Sequence, residues 1–202
     1  MDWDTNVQSY LALFSADLLE ELRPKVCPIC HWEGFQQKHA RFTRGLQTLS
    51  EFLTITILRF FCKSCKETHS VMPSFCRPKH TIANEVQEVV IARLDSGEPL
   101  KAVGKEICPG VTIDKKTVRR WKTFWTTTMV KQEGVFVGQA LTLLPALILP
   151  VGEAKKAVAD SLFKWLSYIR RQLSGVFGNF DSAGLFTLLL RLHLSMVLSS
   201  GP

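Results

Sequence analysis

Most of the patterns that mark an enzyme are missing from these 202 residues. There is no Gly-rich loop to cradle a phosphate, no Gly-x-Ser-x-Gly turn to expose a serine, and no cysteine set with a histidine as nucleophile and base. Beyond residue 125 the only acids are Glu133, Glu153, Asp160 and Asp181, in helical or Gly-rich text with no strand pattern, so the carboxylates of a two-metal site are absent as well. The chain is therefore read as non-enzymatic. Its opening, Met1-Asp2-Trp3-Asp4, lacks the basic and apolar regions of a secretory signal, which points to a reducing, cytoplasmic setting. A long apolar run is also wanting. Residues 183–198 are apolar nearly all round, but they number 16 and include Arg191 and His193. A bilayer needs about 20 such residues, so no membrane span is expected.

What is present is cysteine in a particular spacing. Cys27-Pro28-Ile29-Cys30 and Cys62-Lys63-Ser64-Cys65 are separated by 31 residues. A Cys-x-x-Cys turn brings two thiolates to one metal, and two such turns complete the tetrahedral shell of a structural zinc site. Leu53, Ile55 and Ile57 alternate with Thr54 and Thr56, the period of a half-buried strand, which continues through Phe60 and Phe61 into Cys62. Residues 25–80 are thus read as a zinc ribbon with one structural Zn²⁺ on Cys27, Cys30, Cys62 and Cys65. Disulfides or free core thiols are the competing readings, and a reducing compartment disfavours the first. Cys76 and Cys108 have no partner at ligand spacing. His31, His69 and His80 lie near the knuckles, with His31 directly beside the first pair, but four thiolates already fill the shell.

Charge follows the same region. The chain carries +7 overall, and residues 22–80 hold ten Lys or Arg against three acids, which leaves +7 there alone. Such a surface suits a polyanion. Ahead of it, Val7, Tyr10, Leu11, Phe14 and Leu18 mark one face of a helix over 7–22 that Arg23-Pro24 ends, either packing on the ribbon or docking a partner. After it come three helix signals. Thr81 caps a stripe of Ile82, Val86, Val89, Val90 and Leu94 that stops at Ser96-Gly97. Pro99 opens a short helix through Ile107, and Asp114 caps a third from Lys115 to about Trp125. This order and length is that of a helix-turn-helix unit, assigned to residues 81–129. Projected at 100° per residue, Val118, Trp121 and Trp125 share one side of the third helix, while Lys116, Arg119, Arg120 and Thr123 share the other.

The text from "RFFCKSCKETHSVMPSF", with Pro73-Ser74-Phe75, to "KKTVRRWKTFW" resembles the N-terminal module of bacterial insertion-sequence transposases. It is still more similar to small bacterial proteins that carry this module without a catalytic domain. The resemblance covers about residues 25–126. It implies recognition of DNA ends or operators, and no strand cleavage.

Residues 130–202 depart from that pattern. Val158, Leu162, Trp165, Leu166, Ile169 and Leu173 form a stripe over 153–173, opposite a charged face. The following apolar segment must be buried in a bundle or between subunits. The expected fold is mainly α with a small β ribbon: N-terminal helix (1–24), zinc ribbon (25–80), helix-turn-helix (81–129) and C-terminal helical bundle (130–202). The expected function is sequence-specific binding of double-stranded DNA, as a mobile-element accessory factor or a transcriptional regulator. Phosphates would be held by Lys38, Arg41, Arg44, Lys115 and Lys122, and bases read by Lys116, Thr117, Arg119 and Arg120. Residues 130–202 would make a homodimer or meet transposition or transcription proteins. The alternative is a non-catalytic adaptor that docks through the ribbon and the C-terminal helices.

Overall fold

The computed structural model describes residues 7–15, 19–177 and 184–190. Its first half is built on a three-stranded antiparallel sheet in the order β1 (Gln37–Gln47), β2 (Phe52–Phe61), β3 (Thr68–Val71). The hairpin between β1 and β2 closes through Thr48, whose amide and hydroxyl both donate to the Glu51 carbonyl at 2.9 Å. Phe52 lies across the strand over Gly45, where any Cβ would collide with its ring. The glycine therefore leaves room for an aromatic that covers an exposed stretch of strand.

The alternation read in β2 is observed, but only as far as Ile57. Ile55 and Ile57 are buried on one face, and the next buried residues, Leu58 and Phe60, are on the other. Opposite them the register of β1 shifts between Lys38 and Ala40. Helix α1 (Val7–Ser15) packs on this sheet: the Tyr10 hydroxyl donates to the Thr56 carbonyl at 2.6 Å, and its ring meets Phe75 edge-on at 5.5 Å. Packing, the first of the two readings for this helix, is what is seen. The helix is shorter than expected. A 3₁₀ turn covers Leu19–Leu22, and Leu18 lies outside the described residues.

The second half is helical. Helix α2 (Asn84–Asp95) starts three residues after the expected Thr81 cap and ends where expected, with Gly97 at φ 92° closing onto the Leu94 carbonyl. The expected second helix is instead a run of turns. The Pro99 carbonyl accepts from Ala102 and Val103, but the Gly104 carbonyl is taken by the Ile113 amide at 2.9 Å and cannot continue a helix. Gly104 sits so close to the Ile113 carbonyl that no side chain would fit.

Helix α3 (Lys115–Leu143) is 29 residues long and runs uninterrupted across the expected boundary at 129/130. Its buried positions, Val118, Trp121, Trp125, Met129, Gln132, Phe136 and Ala140, recur every three or four residues and form one seam. The helix expected over 153–173 is two: α4 (Gly152–Val158) and α5 (Leu162–Phe177). The break is a cap. The Ser161 hydroxyl accepts from the Lys164 amide at 3.1 Å and donates to Asp95 Oδ2 at 2.9 Å, which starts a new helix tied to α2. Trp165, Leu166, Ile169 and Leu173 are buried as the stripe foresaw. Residues 185–190 are helical and insert Phe186 against Trp125, stacked at 3.8 Å and 12°. The rest of the apolar segment 183–198 lies outside the described residues. No described helix is long and apolar enough to cross a membrane.

Candidate metal centre and basic surfaces

Two local turns of the same construction bring the four sulfurs together. In the first, the His31 amide donates to the Cys27 carbonyl at 3.0 Å, and the Cys27 amide to the Trp32 carbonyl at 3.0 Å. In the second, Lys66 donates to Cys62 at 3.0 Å, and Cys62 to Glu67 at 2.9 Å. The residue after each pair turns through positive φ, 56° at His31 and 63° at Lys66. One knuckle lies ahead of β1 and the other joins β2 to β3, so pairing of the strands sets them side by side.

The Sγ atoms of Cys27 and Cys65 are 3.8 Å apart, those of Cys30 and Cys62 3.7 Å, and all four lie within 4.8 Å of one another. Four sulfurs at about 2.3 Å from a central ion sit about 3.8 Å from each other in a tetrahedron. The cluster therefore fits a tetrahedral metal ion. The Ile29 amide points at the Cys27 sulfur at 3.4 Å, as it would toward a thiolate. Without a cation, Cys30 and Cys65 are pushed in opposite directions. The Trp32 backbone amide, with help from the neighbouring sulfurs, holds Cys30 down to about 6. Cys65 gains from the Glu67 amide, but burial and the neighbouring thiols push it up to about 12. A bound divalent cation removes that conflict.

His31 takes its part through its backbone, the part Lys66 plays in the other knuckle; among the described residues no histidine joins the sulfur cluster. Cys76 is buried and apart from it, its thiol pushed up to about 12 by burial, with Sγ 3.6 Å from the Pro73 carbonyl. Cys108 is also buried and free.

The candidate DNA contacts divide into two groups. On the ribbon, Lys38 is ion-paired to Glu20 at 2.6 Å, and Arg44 reaches back to the Arg77 carbonyl at 3.4 Å. Arg41 is exposed on β1. On α3, Lys115, Lys116, Arg119, Arg120 and Lys122 are all exposed, and none is in an ion pair among the described residues. Thr117 is differently placed. Its hydroxyl donates to Asp114 Oδ2 at 2.6 Å, while Asp114 Oδ1 caps the Lys116 and Thr117 amides at 2.8 and 3.0 Å. The Thr117 hydroxyl, backed by these amides, holds the Asp114 carboxyl below its usual range. Thr117 thus serves the helix start.

Arg77 ties the two halves together, and the sequence reading counted it only as one more charge. Its guanidinium lies 3.3 Å over the Phe124 ring and donates to Gln87 Oε1, which also accepts from Trp125 Nε1 at 2.9 Å. Its position directly before Pro78, in the link between ribbon and helices, was the available signal.

Compared with known families, residues 27–121 match a family described as a domain of unknown function (DUF6431). The match starts on the first cysteine of the cluster and ends on the first tryptophan of the α3 seam. No curated protein and no solved structure matches the chain.

Proposed function

We propose that this chain is a sequence-specific DNA-binding protein without a catalytic domain, in which a structural zinc ion holds a ribbon beside a helix-turn-helix reader. The observation that carries the reading is the start of α3: five exposed cations within eight residues, none in an ion pair among the described residues, opposite a seam anchored by Trp121 and Trp125. Four thiolates in a tetrahedron are the donor set zinc prefers in closed sites, and such an ion supplies shape without chemistry. In this reading α2, the turns at 99–104 and the first three turns of α3 act as the helix-turn-helix. Arg119, Arg120 and Lys116 read base edges from the major groove, while Lys115, Lys122 and Arg41 hold phosphates. A mobile-element accessory factor and a transcriptional regulator both fit this mechanism, with a cytoplasmic, nucleoid-associated location.

The test is binding to genomic duplex fragments over a salt series. Each bidentate arginine is worth about 1–3 kcal/mol, so Arg119→Ala with Arg120→Ala should cost at least roughly tenfold in affinity and relax the site preference. Lys122→Ala should reduce the salt slope by about 1 without changing preference. Unchanged affinity and slope in all three variants would defeat the reading.

The same reading includes a homodimer, since paired readers engage paired half-sites. Residues 134–151 contain no charged side chain, and Leu141, Leu143, Ile148 and Val151 are exposed there. Their bare apolar surface is roughly 400 Å² per copy, within the size range of functional patches. An uncharged patch is also where two chains of net +7 can meet. Ile148→Glu should turn a dimer into a monomer by light scattering; a wild-type chain that is monomeric throughout removes this element. The adaptor alternative draws on Ile29, Trp32 and Phe35, which expose apolar surface around the first knuckle. Retained DNA affinity in a Trp32→Ala, Phe35→Ala variant would leave that surface free for a transposition or transcription protein.

A further inference from the structure

Arg77 is half-buried, and none of the ion pairs among the described residues includes it. Burial holds its guanidinium down to about 10. Gln87 Oε1 takes one of its five N–H donors and Phe124 covers one face, but both partners are neutral. A cation half withdrawn from water and left without a counter-charge carries a cost, and a protein ordinarily supplies an acid. Here, among the described residues, no acid lines the space beside it. Arg77 lines a groove of about 590 Å³ between the 72–78 link and α3, and among the described residues the only other charged one lining it is Lys131. Much of the remaining wall is carbon, with Met72 and Phe124 on the two elements and Leu190 from the helical segment 185–190. The volume is that of a small-molecule site.

We propose that this groove binds a small carboxylate with an apolar body, such as an aryl or medium-chain alkyl acid. The guanidinium fork matches a carboxylate with two parallel hydrogen bonds, and Lys131 adds a second positive charge. The body lies against Met72, Phe124 and Leu190. A phosphate fits less well, because its additional charged oxygens would face those carbon walls. The Thr127 side chain lines the same space and offers a place to fill it.

The experiment uses the full metal-loaded chain without DNA, so it is independent of the DNA reading. Benzoate, indole-3-acetate and octanoate are titrated by calorimetry beside benzyl alcohol and octanamide as uncharged controls. At least one acid should bind with Kd under roughly 1 mM, with the uncharged controls about tenfold weaker or worse. Lys131→Gln and Thr127→Trp should each weaken that acid by about tenfold while keeping wild-type circular dichroism and metal content. Those two positions are exposed at least in part, which spares the Arg77 junction. No saturable binding of any acid overturns the proposal. So does equal binding of acid and control, or wild-type affinity in both variants.

Discussion

Residues 25–80 and residues 84–177 are similar in kind of surface but not in what holds them. The ribbon is a thin sheet: seven successive residues of β1, from Gln37 to Thr43, are exposed, and its apolar burial is concentrated in β2. Its knuckles have almost no core of their own, and the four sulfurs stand where a core would be. The helical half buries Trp121, Trp125 and Trp165, and stacks Trp125 on Phe186 of the helical segment 185–190. Small modules lacking apolar area fold around a metal, while larger ones fold around packing. With a metal on the four cysteines, as proposed, one chain would use both, joined at Arg77.

The strongest test of that contrast is removal of the metal. Apparent binding energies of structural zinc sites are about 10–16 kcal/mol and are folding energy for the module that holds the ion. Cys62→Ser, or chelation of the wild type, should abolish the strand signal and stoichiometric metal while most of the helical circular dichroism survives. If the helical signal collapses with the strands, the two halves are one cooperative unit and the contrast is wrong.

The converse substitution is Trp125→Ala. It removes the stack on Phe186, the hydrogen bond to Gln87 and a fully buried side chain. Large aromatic truncations in cores cost about 3–5 kcal/mol. Denaturant melts should show that loss in the helical transition, with one metal per chain retained. Loss of the metal in this variant would mean that the α3 seam also holds the knuckles in place.

The difference between the halves also explains what the sequence made legible. A Cys-x-x-Cys turn is a local object, so both knuckles and the strand leading into Cys62 could be read directly. The end of α3 could not. Thr126, Thr127 and Thr128 followed by Gly134 and Gly138 read as a helix running out, and both glycines stand in open space with no packing reason to be there. Burial at Met129, Gln132, Phe136 and Ala140 overrides that propensity, and it depends on partners far along the chain. The α4–α5 break needed Asp95, 66 residues from Ser161. The turns after Pro99 needed the return of Ile113 to Gly104. In each case a distant contact decided a local conformation.

A milder test concerns how α1 is fastened to the ribbon. The Tyr10 hydroxyl is buried on the Thr56 carbonyl, and burial raises its pKa well above the ordinary phenol value. Tyr10→Phe keeps the ring against Phe75 and deletes one neutral hydrogen bond, so it should cost about 1 kcal/mol. The loss should fall in the metal-dependent transition. A loss confined to the helical transition would place α1 with the other half.

The smallest expected effect separates the two basic surfaces. Charge counting treats Lys38 and Arg120 alike, yet Lys38 is held by Glu20, while among the described residues none of the α3 cations is in an ion pair. The Lys38 hydrogen bond, with Arg23 assisting, holds the Glu20 carboxyl below its usual range. A lowered folded-state pKa means the pair contributes above the unfolded carboxylate value and is lost as pH falls through the folded one. The pair is exposed, so salt screens it and little stability rides on it. Lys38→Ala should therefore leave DNA affinity near wild type at neutral pH, and reduce the small acid-side change in ribbon melting below about pH 4.5, with Arg23 still paired to Glu20. Arg120→Ala should do the opposite, weakening DNA binding with little change in the acid profile, because Asp114 is held low first by Thr117 and only last by the Arg120 charge. A Lys38→Ala loss as large as that of Arg120→Ala would show that Glu20 releases its partner to the phosphates, and that the ribbon binds DNA as strongly as the helix does.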